Sequence, residues 1–158
     1  MEGPAFDEEL FFRAIARSDV RALLIGRRAL IALGLPLNTR DYDFWIHIDD
    51  VQEFNALAEQ FDLFPNRTPE DARKVGRYVL EGDEHVDVLI SREVPTIDGE
   101  RVSFESLWSS RAPIEVAPRV VIHRPSLDGL ILTKRFANRP KDAEDLRMLA
   151  VLRARSVR

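Results

Sequence analysis

The sequence predicts an α/β (α+β) fold in which helices pack on a mixed β-sheet. The first observation is the order of segments. Short apolar runs such as "VRALLIG" and "DYDFWIHI" alternate with amphipathic runs of helical period, as in a sheet covered by helices. The second is that "VGRYVLEG" and "HVDVLIS" follow each other with only a tight turn between them. These two runs predict an antiparallel hairpin, so the sheet contains both strand directions.

Length and composition predict one globular domain. The chain has 158 residues, the size of a single domain, and we expect its core at about residues 20–150. Hydrophobic residues make up 45% and charged residues 32%, and the net charge of −4 excludes a generic polyanion-binding chain. The absence of cysteine excludes disulfides and thiolate metal sites. No apolar run suits a membrane span and the N-terminus lacks a signal-peptide pattern, so we expect a cytoplasmic protein.

The first half of the chain predicts three helices and two strands. "FDEELFFRAIARS" predicts a helix capped by Asp7, with an apolar stripe through Leu10, Phe11, Ala14 and Ile15. A strand over "VRALLIG" ends at Gly26, and the helix that follows it stops at Gly34. "DYDFWIHI" is rich in aromatic and β-branched residues and predicts a strand. The capping-box spacing of Asp50 and Glu53 predicts the start of the third helix.

The second half predicts a loop, further strands and three helices. "FPNRTPEDAR" contains two prolines and predicts a loop before the hairpin. A turn is expected at Asp98-Gly99, a short helix over "SFESLWSSR" and one more strand pair over "IEVAPRVVIH". Ser126 can cap the helix "LDGLILTKRFA", and the last helix follows Pro140.

Two acids, Asp41 and Asp43, interrupt the strand "DYDFWIHI". Because side chains alternate along a strand, both lie on one face together with Trp45. Two such carboxylates repel each other and lose hydration unless a cation compensates them. A third acid, Asp87, interrupts "HVDVLI" in the same way. If the two strands are neighbours, the three carboxylates can hold a divalent metal for displacement at a phosphate; the alternative for each acid is an ion pair with an arginine.

These features resemble the nucleotidyltransferase superfamily. "NTRDYDFWI" is similar to the Thr-x-Asp-x-Asp segment of its small bacterial members, and "VDVLIS" to the strand that carries the third carboxylate. "SFESLW" and "IHRPSLDGLILTKRFANRPKDAEDLRML" resemble the C-terminal half of AbiEii-type and related nucleotidyltransferases. The resemblance spans roughly Leu23 to Leu149. It implies a nucleotidyltransferase-like sheet and transfer of a nucleoside monophosphate from an NTP to an acceptor hydroxyl.

The resemblance also implies roles for individual residues. It assigns Mg²⁺ (or Mn²⁺) to Asp41, Asp43 and Asp87, the last of which could instead be the base toward the acceptor. Contact with the nucleotide phosphates falls to Gly26, Arg27, Thr39 and Lys134. For Lys134, a salt bridge to Asp142 or Asp145 across two packed helices is an equal interpretation and is compatible with phosphate contact. The acceptor stays open between a nucleic acid, a protein and a small molecule, and a second copy of the chain could complete the pocket.

Arg27 leaves two functional hypotheses open, because a cation at a helix N-terminus opposes the helix dipole. Its guanidinium could clamp a triphosphate, which favours an active enzyme. It could instead fold over Asp41 and Asp43 and replace the metal. That arrangement would favour a catalytically inactive nucleotidyltransferase-like module with a macromolecular partner, such as a toxin–antitoxin or regulatory partner. The third interpretation sends the side chain to solvent.

Other motifs give weaker signals. His47, His85 and His123 lack the spacing of metal ligands, so we expect packed or surface histidines. Trp45 is expected on the carboxylate face, where it could stack on a base, although core packing is the more common fate of a strand Trp.

Overall fold

A seven-stranded mixed sheet lies at the centre of the structure, a computed structural model that describes residues 5–137 and 139–156. The strands are β1 (Ala22–Ile25), β2 (Asp41–Ile46), β3 (Phe64–Pro65), β4 (Arg77–Glu81), β5 (His85–Leu89), β6 (Glu93–Pro95), β7 (Arg101–Ser103), β8 (Ala112–Ala117) and β9 (Val120–Arg124). The sheet order is β3-β4-β5-β2-β1-β9-β8, and β6 and β7 form a separate hairpin. Pairs β2–β5 and β1–β9 are parallel and the other pairs are antiparallel, so the predicted mixed sheet is confirmed.

Helices cover this sheet. Within the described residues they are α1 (Glu8–Arg17), α2 (Gly26–Ala32), α3 (Val51–Glu59), α4 (Pro69–Val75), α5 (Phe104–Ser109), α6 (Leu127–Lys134) and α7 (Pro140–Ser156), with a 3₁₀ turn at Ile48–Asp50. The predicted caps of α1 and α6 are confirmed, because Asp7 accepts a hydrogen bond from Leu10 N and Ser126 accepts one from Gly129 N. No helix among these is long and apolar enough to cross a bilayer.

The two faces of the sheet pack differently. Tyr42, Phe44 and Ile46 of β2 point into the main core, against α1, α3 and Phe6. Trp45 points to the opposite face, into a smaller cluster with Leu23 and residues of β7 and α5. The alternation predicted along β2 is therefore confirmed. The N-terminal half of β2 carries Asp41 and Asp43 on this second face, and neither apolar cluster includes them.

Three local predictions were wrong. The segment expected to be a loop forms strand β3 and helix α4, because Pro65 lies on an edge strand and Pro69 takes the first helical position, where a missing N–H costs nothing. In α1, Leu10 is exposed and Phe12 is buried in its place. Asp50 precedes α3 but makes no side-chain cap.

The carboxylate of Asp50 binds Arg21, the residue before β1. It accepts hydrogen bonds from the backbone N, Nε and Nη2 of Arg21, at 2.8, 2.9 and 3.0 Å. Burial works to raise the pKa of Asp50, but these hydrogen bonds outweigh it and leave the pKa below its ordinary value. A bidentate guanidinium partner is stronger than a single backbone N–H, so the tertiary contact replaces the cap.

Candidate active site

The three predicted acids lie on two neighbouring strands. Strands β2 and β5 run parallel, with Asp43 directly opposite Asp87 and Asp41 directly opposite His85. Paired residues of adjacent strands point to the same face, and such strands are about 4.8 Å apart, so the carboxylates of Asp43 and Asp87 are close neighbours. All three acids line one cleft of about 660 Å³, a volume typical of small-molecule sites.

Asp43 is the most perturbed of these acids. Burial, followed by the charges of Asp87 and Asp41, raises the pKa of Asp43 from 3.8 to about 6, against the opposing effect of Lys134 and Lys141. Within the described residues, the carboxylates of Asp41 and Asp43 accept no hydrogen bond and have no cationic partner within 4 Å, and Asp87 contacts only His85 Nε2, at 3.3 Å. The group therefore carries uncompensated negative charge, the condition that a bound cation relieves.

Gly26 lies against Asp43 at the start of α2. Its φ is +71°, and a Cβ at this position would overlap the Asp43 carboxylate and lie 3.0 Å from Asp43 Cβ. Glycine is thus required twice, for the left-handed backbone and for the close approach. The strand–Gly–helix turn predicted here is present, and its glycine brings the backbone to the carboxylate.

Arg27 does not cover the acids. Its Nε and Nη2 donate to the two carboxylate oxygens of Asp145 on α7, each at 3.2 Å. Lys134 Nζ lies 2.7 Å from the same carboxylate, and both Lys134 and Asp145 are buried. Burial works to raise the pKa of Asp145, but the hydrogen bonds from Lys134 and Arg27 hold it below its ordinary value. The predicted salt bridge of Lys134 is therefore present, and Arg27 lines the same cleft but binds Asp145 instead of Asp41 or Asp43.

A second acid on α7 extends this network. Asp142 accepts hydrogen bonds from Arg139 Nε and Nη2 at 2.8 and 3.0 Å, and Lys134 Nζ lies 3.8 Å from it. Lys141 lines the same side of the cleft and, within the described residues, has no ion-pair partner. Arg27, Lys134 and Arg139 thus share two carboxylates, and Lys141 adds a fourth positive charge, so this wall of the cleft has a net positive charge.

Thr39 shapes the approach to β2. Its Oγ1 accepts a hydrogen bond from Asp41 N at 3.1 Å, and its carbonyl accepts one from Arg28 Nη2 at 3.2 Å. Arg28 also lies over the Tyr42 ring, 4.2 Å from the ring centroid, and pairs with Glu8. Thr39 lines the cleft, and its contact with a nucleotide stays a prediction. Arg28 is held by Thr39, Tyr42 and Glu8.

Trp45 cannot stack on a ligand. It is fully buried, donates from Nε1 to the Ser91 carbonyl at 2.9 Å and packs edge-on against Phe104 and Phe136. Phe136, which the sequence did not single out, lines the cleft in its place. Of the histidines, His47 is buried beside Glu105, and His85 is the one that contacts a predicted site residue.

The wall opposite α6 and α7 was not foreseen from the sequence. Asn66, Arg67 and Arg77 line the cleft beside β4, next to the strand that carries Asp87. Two of these residues fall in the segment predicted as a loop. A signal was present, since Arg77 lies two residues before Val79 on β4 and therefore shares its face, and Val79 pairs with Asp87.

In this conformation, the described side chains are not arranged to bind a metal ion through three protein ligands. Among the described residues, no group of three or more His, Asp or Glu side chains is close enough together to hold a metal ion. Mg²⁺ usually takes one or two carboxylates and completes its shell with water and substrate phosphate. The predicted Mg²⁺ site therefore stays a prediction, with oxygen donors of the kind this ion requires.

Three solved structures share this fold. TM1012 from Thermotoga maritima, a proposed nucleotidyltransferase, has a TM-score of 0.60 and 16% identity, over 89% of this chain and 88% of its own. The antibiotic-resistance factor ANT(2'')-Ia has a TM-score of 0.62 and 15% identity, over 94% and 90%. The lincosamide antibiotic adenylyltransferase LnuA, solved with lincomycin bound, has a TM-score of 0.61 and 15% identity, over 94% and 98%.

These similarities establish the fold. The nucleotidyltransferase-like mixed sheet with packed helices is confirmed. None of the three structures is described as AbiEii-type, so that finer resemblance stays a prediction. No protein-family model and no curated protein matches the sequence.

Proposed function

We propose that this protein is an Mg²⁺-dependent nucleotidyltransferase that moves a nucleoside monophosphate from an NTP to an acceptor hydroxyl. The observation that carries the proposal is the pair Asp43 and Asp87, in register on parallel strands, with Asp41 on the same face. These acids have no compensating cation within the described residues and face a cleft with cationic walls. That combination suits a substrate that brings phosphates and a divalent cation together.

The reaction itself requires positioning and charge stabilisation. The acceptor oxygen forms a bond to the α-phosphorus of the NTP, the bond from that phosphorus to the bridging oxygen breaks, and pyrophosphate leaves. The acceptor's proton passes to a carboxylate, and Asp87 is the candidate because its side chain is about half exposed toward the cleft. When bound, Mg²⁺ would neutralise charge that develops on the phosphate oxygens.

Cations on α6, on α7 and in the segment between them would hold the triphosphate. Lys134 is fixed by Asp145 and Asp142, and Lys141 and Arg139 lie at the same side of the cleft. Fixed cations stabilise a charged transition state without reorganisation at the moment of reaction. Phe136 offers an aromatic surface at the cleft for the base.

The inactive-module hypothesis lacks the contact on which it was based. It required Arg27 to neutralise Asp41 and Asp43, whereas the guanidinium pairs with Asp145. LnuA was solved with lincomycin bound, and a small-molecule acceptor is one of the three classes that the cleft could serve here.

Calorimetric titration tests the proposal directly. ATP, GTP, CTP and UTP would each be added with Mg²⁺ to the protein and to the double variant Asp41→Ala, Asp43→Ala. At least one nucleotide should bind with Mg²⁺, and the double variant should lose that binding. The double variant Asp83→Asn, Glu84→Gln, which removes two acids from the β4–β5 turn outside the cleft, serves as the charge-matched control. Binding by none of the nucleotides, or binding that the double variant retains, would contradict the proposal.

A further inference from the structure

The cleft has a second cationic wall, on the other side of the acids from α6 and α7. In the sheet, β4 and β3 lie beyond β5, whereas β1 and the start of α2 lie beyond β2. Arg77 is the first residue of β4, and Arg67 lies between β3 and α4. Both arginines line the cleft that contains Asp41, Asp43 and Asp87. The acids are therefore flanked by cations on both sides.

The loop that carries Arg67 is fixed to the sheet. Asn66 donates its backbone N–H to the Val79 carbonyl, and its side-chain oxygen accepts from Val79 N, both at 2.9 Å. Thr68, on the other side of Arg67, caps α4 by accepting from Asp71 N. Because Val79 pairs with Asp87, these hydrogen bonds hold Arg67 close to β5, the strand that carries Asp87.

Neither Arg67 nor Arg77 pairs with an acid in the part of the chain that the structure describes. Both residues are exposed, and within the described residues neither has a carboxylate within 4 Å. The contrast is with the first wall, where Arg27, Lys134 and Arg139 are all held by Asp142 or Asp145. Two arginines that share a cleft and have no acidic partner among the described residues are available to an anionic ligand. A guanidinium matches phosphate in a two-point geometry.

We propose that Arg67 and Arg77 bind a phosphate group of the acceptor, so that the acceptor is a hydroxyl-bearing phosphate ester. This inference rests on the proposed function, because it takes the first wall as the site of the NTP. The second wall then faces the acids from the side at which the acceptor hydroxyl must arrive. A cationic acceptor, such as an amino sugar, is disfavoured there by the two guanidinium charges.

Measurements of acceptor binding, with an NTP analogue already bound at the first wall, test this assignment. Protein saturated with Mg²⁺ and a non-hydrolysable NTP analogue would be titrated with ribose 5-phosphate, ribose, an amino sugar and a labelled single-stranded ten-nucleotide RNA. The variant is Arg67→Ala, Arg77→Ala. The control is Arg73→Ala, Lys74→Ala, which removes the same charge from α4 outside the cleft. Thermal melts of both variants check that they fold.

The expected result is a loss of phosphate-probe affinity of about tenfold or more in the Arg67, Arg77 variant and less than about twofold in the control. For RNA, the magnitude of the slope of log K against log salt should fall by about 0.7, because one phosphate contact to a single strand is lost. Calorimetry should give the same affinity for the NTP analogue in wild type and variant. RNA binding much tighter than ribose 5-phosphate would identify a polynucleotide acceptor, and equal binding a small phosphate ester.

Three outcomes would overturn the inference. One is phosphate-probe binding that the Arg67, Arg77 variant leaves unchanged, and another is tighter binding of the amino sugar than of the phosphate probes. The third is an equal loss of NTP affinity in this variant, which would assign the arginines to the nucleotide. Failure of the proposed function is distinguishable, because it appears as absent NTP binding in the wild-type protein before any acceptor probe is added.

Discussion

At the scale of single residues, Gly26 and Asp43 depend on each other. The glycine allows a positive φ at the end of β1, and the absence of a Cβ leaves room for the Asp43 carboxylate. The close approach holds Asp43 among other acids and contributes to its burial, which is the largest cause of its raised pKa. The position of this glycine therefore affects the electrostatics of the site.

Substitution of Gly26 by Ala should destabilise the protein more than the same change at Gly34. Both glycines have positive φ, +71° and +94°, but a Cβ at Gly34 would meet nothing within 4 Å. Gly34→Ala should cost about 1 kcal/mol of backbone strain, and Gly26→Ala about 1 to 3 kcal/mol more from overlap with Asp43. Urea unfolding of both variants measures the difference. Equal costs would show that the carboxylate does not lie against Gly26.

Asp43→Asn should stabilise the metal-free protein at neutral pH. The pKa of Asp43 is raised from 3.8 to about 6 in the folded state, so the folded protein binds more protons and stability falls as pH rises between those values. The substitution removes this penalty, about 2 to 3 kcal/mol above pH 7, and should change little at pH 4. Urea unfolding at pH 4 and pH 8 in EDTA tests this, with Asp83→Asn as the control. A gain that is the same at both pH values would refute the electrostatic cause.

At the scale of elements, Asp145 joins three helices. It lies on α7 and accepts from Arg27 at the start of α2 and from Lys134 at the end of α6. Its side chain is completely buried, so both partners depend on it for their positions. The cations opposite the acids are thus placed by packing between helices.

Asp145→Ala should cost about 3 to 5 kcal/mol of folding free energy, because it leaves the buried Lys134 charge without its nearest partner. Glu144→Ala, one residue away and exposed, should change stability by less than about 0.5 kcal/mol. The double variant Lys134→Met, Asp145→Leu should recover much of the loss, since it removes both charges. Thermal unfolding compares the three proteins. A single and a double variant of equal stability would argue against an uncompensated charge as the cause.

Elements were predicted well where local signals act alone and poorly where a distant partner competes. The caps at Asp7 and Ser126 were correct because the helix offers them free N–H groups at short range. Asp50 had the same local signal, but Arg21, 29 residues away, binds its carboxylate. For α4, the two prolines led to the wrong prediction of a loop. Local helix signals were nevertheless present, because Thr68 and Pro69 begin the helix and Gly76 ends it in a left-handed conformation.

At the scale of the whole molecule, metal binding should be linked to pH through the site. A metal ion that binds Asp43 must displace its proton, so affinity should fall below the pKa of about 6. We expect Mn²⁺ to bind about tenfold more weakly at pH 5.0 than at pH 7.5, and to raise the melting temperature correspondingly less. Calorimetry and thermal melts with Mn²⁺ alone measure both. Equal affinity at the two pH values would exclude Asp43 as a ligand.

The sequence by itself determined the face on which the acids lie. Strand alternation placed Asp41 and Asp43 together, opposite Tyr42 and Phe44, because the period of two is a property of the extended chain alone. Tertiary structure decided what surrounds these acids. It set Asp87 in register with Asp43 and turned Arg27 to Asp145, 118 residues away. It also brought Arg67 and Arg77 to the cleft. Such partners are chosen by geometry between distant segments, which no local pattern encodes.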